Sequence, residues 1–248
     1  MAIQRHVKER IRHLISWSGL SGCHARLRKA AGQNVNHLFH RSLAERFTAI
    51  YENRVWLNGR STGSLSGLGS EIEHTTSLRL EIPKILRDLN AQLLVDVGCG
   101  DFTWMKEVDL PCSYIGLDIV PAVINANESL FGSEERSFCV LDATTDPLPR
   151  GDVFLCREVM FHLSFSDIWR LIENIRRSEA RFLLATSDST IPYNADILSG
   201  DFRLLNLGRK PFDFPTPERL ITDACVAPGR ILGVWRTAAL PHWKQTAL

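Results

Sequence analysis

The chain has 248 residues, with 29 lysines and arginines against 28 aspartates and glutamates and a formal charge of +1. So even a balance offers no general field for gathering nucleic acid, which disfavours a tRNA, rRNA or DNA substrate, and the length suits one α/β domain of roughly 200 residues plus an appendage. The longest apolar runs fall far short of the roughly 20 residues needed to span a bilayer. The six cysteines stand singly, without Cys-x-x-Cys or Cys/His ligand spacing, so reduced thiols, no metal and a cytoplasmic location are expected.

Composition shifts in residues 1–42, where Arg5, Lys8, Arg10, Arg12, Arg26, Arg28 and Lys29 face only Glu9. Ile3, Val7, Ile11, Leu14 and Ile15 recur at helical spacing, which predicts a basic amphipathic helical extension. Two readings follow: a peripheral contact with a membrane or protein partner through the basic face, or, more plainly, a helix packed on the domain with its charges solvated. The apolar stretch is too broken by charge to be a secretory signal.

Residues 43–91 form the next unit. A helical pattern from Leu43 to Val55 runs into Trp56, glycines 59, 63, 67 and 69 then alternate with serines 61, 64, 66 and 70, and a second helix spans Thr75 to Leu89. From residue 92 to 248 strand and helix signals alternate as a doubly wound sheet requires. Strands are predicted near 92–97, 114–118, 137–141, 152–157, 181–186, 219–225 and 230–236, with helices near 102–107, 121–130 and 165–178. The fold class is α/β: a Rossmann-like, doubly wound, seven-stranded sheet, mostly parallel with an antiparallel edge strand, plus N-terminal helices. A ligand then sits at the carboxyl ends of the strands, where the order reverses.

The first two strands carry the densest signal. One ends in Asp96-Val97-Gly98-Cys99-Gly100-Asp101, and the other, about twenty residues on, ends in Asp118. Gly98 and Gly100 allow a ligand to approach the turn's backbone, and the Asp118 carboxylate can accept both hydroxyls of a ribose. Dinucleotide sites want a third glycine where Thr103 stands, between bulky Phe102 and Trp104. Acids at Asp96 and Asp101 would repel a pyrophosphate but suit an ammonium and a sulfonium.

The segment from Val95 to Trp104 thus resembles the first motif of the class I S-adenosylmethionine-dependent methyltransferases. Tyr114-Ile115-Gly116-Leu117-Asp118-Ile119 resembles the second motif, whose acid holds the ribose, and Phe138-Cys139-Val140-Leu141-Asp142-Ala143 the third, whose acid meets the adenine amino group. Arg157-Glu158-Val159-Met160-Phe161-His162-Leu163 falls where the fourth strand opens onto the methyl-transfer site. Ser66-Gly67-Leu68-Gly69-Ser70, Asn194-Ala195-Asp196-Ile197 and Gly200-Asp201-Phe202-Arg203 resemble a narrower, largely uncharacterised bacterial group, which often reads Arg-Asp where this chain has Arg157-Glu158. The resemblance covers roughly residues 45 to 240, and it implies that the Gly/Ser loop folds over the cofactor.

Cofactor contacts are accordingly expected at Asp96, Gly98, Gly100, Trp104, Asp118, Ile119, Asp142 and Ala143. Plainer roles remain open for several: a tight turn for the glycines, a cap for Asp142, core packing for Trp104. His162, oriented by Glu158, could take a proton from a hydroxyl nucleophile, or could instead be a packed histidine bonded to a backbone carbonyl. Arg157 could clamp an anion bidentately or pair with a neighbouring carboxylate. Asn194, Asp196 and Arg203 stand in a polar loop between the fifth and sixth strands, expected to select the substrate. The reading is methyl transfer from S-adenosyl-L-methionine to a small-molecule or glycan acceptor, at oxygen. The alternatives are an NAD(P)-dependent oxidoreductase and a noncatalytic cofactor-binding subunit.

Overall fold

A computed structural model describes residues 21–223 and 225–243. The predicted helix stripe between Ile3 and Ile15 lies outside the described residues. The chain enters through helix α1 (Ser21–Ala30) and a short 3-10 turn, Asn36–Phe39, then helix α2 (Leu43–Glu52). A capping box starts α2: Ser42 Oγ accepts the Glu45 amide, and the Glu45 carboxylate accepts the Ser42 amide. The helix is shorter than its apolar pattern because Arg54 adopts a left-handed φ of 50°, which ends helical propagation and leaves Trp56 on a separate turn, Val55–Leu57.

Helix α3 (Thr76–Asp88) leads into β1 (Leu93–Val97), followed by β2 (Ser113–Asp118), α4 (Pro121–Phe131), β3 (Arg136–Val140), β4 (Val153–Cys156), α5 (Phe165–Arg177), β5 (Phe182–Asp188), β6 (Arg219–Thr222) and β7 (Arg230–Arg236). The sheet order is β3-β2-β1-β4-β5-β7-β6. Strands β1 to β5 pair in parallel, and β7 runs antiparallel between β5 and β6. The order reverses between β1 and β4, which opens a crevice at their carboxyl ends.

Burial follows the pleat. Phe154, Cys156, Leu183 and Ala185 face the α5 side with Ile168, Leu171 and Ile172, whereas Val153, Leu155, Phe182 and Leu184 face the α3 and α4 side with Leu78, Ile82 and Ile124. Both faces are covered, which is why β4 and the first four residues of β5, Phe182 to Ala185, read as unbroken apolar runs rather than alternating ones.

Two expectations fail for identifiable reasons. No α-helix forms near 102–107: Phe102 sits at φ 57° with its ring buried among Tyr114, Phe131 and Phe138, so only a three-residue 3-10 turn, Met105–Glu107, follows the glycine turn. The long connection from β5 to β6 is not a polar surface loop. Its Leu204, Leu205, Leu207, Phe212 and Phe214 are buried on the α5 face of the sheet, and fully buried Arg203 donates to the carbonyls of Ala195, Met160 and Leu163 at 2.7 to 3.0 Å.

Removing that guanidinium strands three buried acceptors. Arg203→Ala should lower unfolding free energy by about 3 kcal/mol, read as a lower urea midpoint at unchanged slope. A midpoint equal to that of the parent protein would mean that the clamp contributes nothing.

Candidate functional site

The strand ends enclose a cleft of about 820 Å³, counting its open mouth. Gly98 and Gly100 form its floor at φ values of 69° and 59°, the left-handed region. Packing within the protein also demands glycine: a Cβ on Gly98 would stand 2.5 Å from Val159 Cγ2, and one on Gly100 would collide with Ser66 Oγ.

Asp118 closes β2 and is 8% exposed. Its Oδ2 accepts the Gly100 amide at 3.1 Å and its Oδ1 the Val120 amide at 3.0 Å, so one carboxylate ties the β1 turn to the end of β2. No cation pairs with it among the described residues, and burial raises its pKa to about 6. Asp142 lines the same cleft, with Oδ1 accepting the Thr144 amide at 2.9 Å and the Thr144 hydroxyl at 2.7 Å. The capping role and the cleft position therefore coexist.

The Gly/Ser loop is bolted over the floor by Asp101. Its carboxylate accepts Ser64 Oγ at 2.8 Å, the Leu65 amide at 2.6 Å and Ser66 Oγ at 3.1 Å, and its own amide donates to Ser66 Oγ at 2.9 Å. Tyr51 Oη meets Ser66 Oγ at 2.9 Å and brings α2 onto the loop. Asp101 is thus a structural anchor and not a free charge facing a ligand. Ser66 and Ser70 line the cleft, as do Phe47, Tyr51 and Trp56.

The opposite rim is built after β4. Arg157 donates to the Gly69 carbonyl at 2.8 Å and to Asp223 Oδ2 at 3.1 Å, in a pair whose side chains are 4% and 2% exposed. Glu158, at φ 62°, anchors its amide on Thr186 Oγ1 at 2.9 Å and pairs with Arg230 from β7, whose Nε lies 3.9 Å from Asp188. The plainer expectation for Arg157, a carboxylate partner, is therefore met, while both side chains still line the cleft.

His162 Nδ1 lies 2.9 Å from the Asp201 carbonyl. A carbonyl only accepts, so Nδ1 carries the proton and the neutral ring's lone pair sits on Nε2, which has no partner among the described residues. Burial lowers the His162 pKa. Trp56 and Phe202 pack against the ring at centroid distances of 4.9 and 5.4 Å. Glu158 does not hydrogen-bond it.

Of the residues singled out in the sequence, Gly98, Gly100, Asp118, Ile119, Asp142, Ala143, Arg157, Glu158 and His162 come together on the cleft. Two do not reach it. Asp96 shares the pleat face of Leu94 and accepts the Tyr114 hydroxyl at 2.8 Å, with burial raising its pKa to about 7. Trp104 is buried, with its ring 5.2 Å from the Arg157 guanidinium. Asn194 donates to the carbonyls of Asn206 and Lys210, Asp196 accepts the Phe165 and Ile197 amides, and Arg203 donates to three carbonyls, so these side chains brace the loop and none of the three lines the cleft. The aromatic wall of Phe47, Tyr51 and Trp56 carries no local signal, because Phe47 and Tyr51 read as an ordinary helix face and Trp56 as the residue that follows it.

No family model and no curated protein matches the chain. Among solved structures, magnesium protoporphyrin IX methyltransferase (ChlM) from Synechocystis PCC 6803, with bound SAM, superposes at a TM-score of 0.50 and 13% identity, over 80% of this chain and 99% of that one. N-methyltransferase NodS from Bradyrhizobium japonicum WM9, in complex with S-adenosyl-l-homocysteine, gives 0.39 and 20%, over 47% and 62%. Human N-acetylserotonin methyltransferase, in complex with SAM, gives 0.41 and 21%, over 65% and 44%. This chain spans less than two thirds of the latter two. The first likeness defines the fold as the Rossmann-like one that methyltransferases share.

The folded protein holds the Asp118 proton up to about pH 6, whereas an unfolded chain releases it near 4. A raised folded pKa makes this contribution fully present below 4 and lost as pH rises to 6. Asp118→Asn should therefore gain stability relative to the parent protein across that window, by an amount of order 2 to 3 kcal/mol. Parallel stability curves from pH 4 to 7 would refute an unpaired buried carboxylate.

Proposed function

We propose that the protein is a methyltransferase that uses S-adenosyl-L-methionine and methylates an oxygen of a small-molecule or glycan acceptor. The observation that carries this reading is Asp118: a buried carboxylate with no cation partner, held by two amides at the foot of a cleft. Each of its oxygens keeps a lone pair for a ribose hydroxyl, and its uncompensated charge favours a cationic ligand over a pyrophosphate. Ile119, Asp142 and Ala143 stand beside it to receive the base, and Gly98 and Gly100 let Val159 and Ser66 close in on the turn that forms the floor.

A nicotinamide cofactor fits poorly. Its pyrophosphate wants the N-terminus of a helix after the glycine turn, and here Phe102 at φ 57° prevents one. Nothing comparable opposes a sulfonium.

When bound, S-adenosylmethionine supplies a methyl group already activated on positive sulfur. The chain's own work is then alignment and exclusion of water. Phe47, Trp56 and the Gly/Ser loop wall off the cleft, and His162 presents Nε2 to accept the proton that a hydroxyl nucleophile loses. Its lowered pKa keeps the ring neutral and competent at physiological pH. Arg157 and Glu158 are held by Asp223 and Arg230, which presets the rim before anything binds.

Calorimetry with S-adenosylhomocysteine should register binding that strengthens as pH rises through about 6, the value at which Asp118 ionises. Asp118→Ala should weaken it on the order of 100-fold, as expected for two charge-assisted hydrogen bonds. Absence of binding, or equal affinity in the variant, would overturn the cofactor reading. With labelled methyl donor and an acceptor found in a cell extract, His162→Gln should lower kcat by about 100-fold. Undiminished turnover in that variant would remove the base.

A further inference from the structure

Helix α1 contributes no residue to the cleft lining. Yet α1 packs Ala25, with Val35 and Leu38 behind it, against Leu198, at the start of the loop that carries Asp201. That loop cradles His162 twice: the Gly200 amide donates to the His162 carbonyl at 2.8 Å, and the Asp201 carbonyl accepts the hydrogen bond from Nδ1–H at 2.9 Å. From α1, Arg28 Nη1 bonds Asp201 Oδ2 at 2.6 Å, with the two side chains 20% and 15% exposed. Arg46 on α2 holds the neighbouring Ser199 carbonyl at 3.0 Å.

Gly200 sits at φ 99°, so the turn is one that few residues would maintain unaided. The hydrogen bond that holds the Asp201 side chain comes from Arg28, 173 positions away along the chain. We propose that Arg28 and Asp201 are positioning residues for His162: the ion pair between α1 and the β5–β6 connection holds the Asp201 carbonyl on Nδ1 and so decides which ring nitrogen faces the cleft. The N-terminal extension thereby becomes part of the site's support, and anything that lifts α1 also releases His162. This role in turnover rests on His162 acting as the base, whereas the contact itself does not.

Charge makes the arrangement measurable in two opposite directions. The groups that bear on His162 are Glu158 from the turn after β4, and Asp201 and Arg203 from the loop. Arg28 and His37 in turn face Asp201. Arg28→Gln leaves the Asp201 carboxylate uncompensated beside the ring, which favours imidazolium, so His162 should titrate at a higher pH than in the parent protein. Asp201→Asn keeps the carbonyl but removes the negative charge, so His162 should titrate at a lower pH. The double variant should return close to the parent, and Arg28→Lys should leave the titration in place.

The experiment is a proton and nitrogen NMR titration of the histidine rings in the full chain, with the His162 signals assigned by His162→Gln. Opposite displacements in the two single variants, with cancellation in the double, would support the proposal. An unmoved His162 in both, or displacement in the same direction, would overturn it. The acid limb of methyl transfer, measured on the same variants, separates the two readings. Displaced NMR titrations with an unmoved acid limb would keep the positioning contact and reject His162 as the base. In Arg28→Gln, kcat at high pH should fall on the order of tenfold through misalignment, with S-adenosylhomocysteine affinity unchanged.

Discussion

Two amide hydrogen bonds to one buried carboxylate organise this molecule's working edge. Asp118 accepts from Gly100 on the turn after β1 and from Val120 at the entrance to α4, so the strand ends that must converge on a ligand are joined before any ligand arrives. The bonds do not neutralise the charge. Burial without a cation raises the group's pKa, and the protein carries that cost in order to keep a carboxylate facing the cleft. A structural aspartate in this position would be expected to pair with a nearby lysine or arginine. This one does not, and its isolation is the reason to regard the cleft as a binding site.

The cover over that edge follows from a second aspartate with the opposite fate. Asp101 accepts hydrogen bonds from Ser64, Leu65 and Ser66, and the result is a loop seated on Gly100 closely enough to exclude a side chain there. The glycine and the serine are therefore complementary: one supplies the absence that the other fills. Asn127 from α4 adds a third tie by donating to the Gly100 carbonyl at 2.7 Å. The cleft floor is thus held by Asp118, by the Gly/Ser loop and by Asn127, as preorganisation requires.

The far rim relies on buried ion pairs instead. Arg157 with Asp223, and Arg230 with Glu158 and Asp188, link the ends of β4, β5 and β7 and the segment after β6. Buried pairs contribute little net stability against apolar substitutes, but they specify one arrangement, since any shift of register would leave a charge unpaired. That specificity explains why Glu158 can occupy a left-handed conformation at the mouth of the cleft. It also explains why the antiparallel strand β7, inserted between β5 and β6, matters to the site although it contributes no residue to the lining.

What the sequence determined by itself was everything governed by local periodicity and spacing: the seven strands, their order of appearance, the glycine turn, and an acid at the end of β2, because hydrophobic alternation and turn chemistry are written in neighbouring residues. Side-chain direction and long-range partners were decided only in the tertiary structure. Asp96 and Asp118 look equivalent in the chain, but the pleat sends one under the sheet to Tyr114 and leaves the other at the cleft. Asn194, Asp196 and Arg203 look like a polar recognition loop, and only packing reveals that they satisfy backbone groups of a buried segment. The same holds for Arg28 and Asp201, whose pairing across the fold leaves no trace in either one's local sequence, because an ion pair depends on distance in space and the chain records only distance along itself.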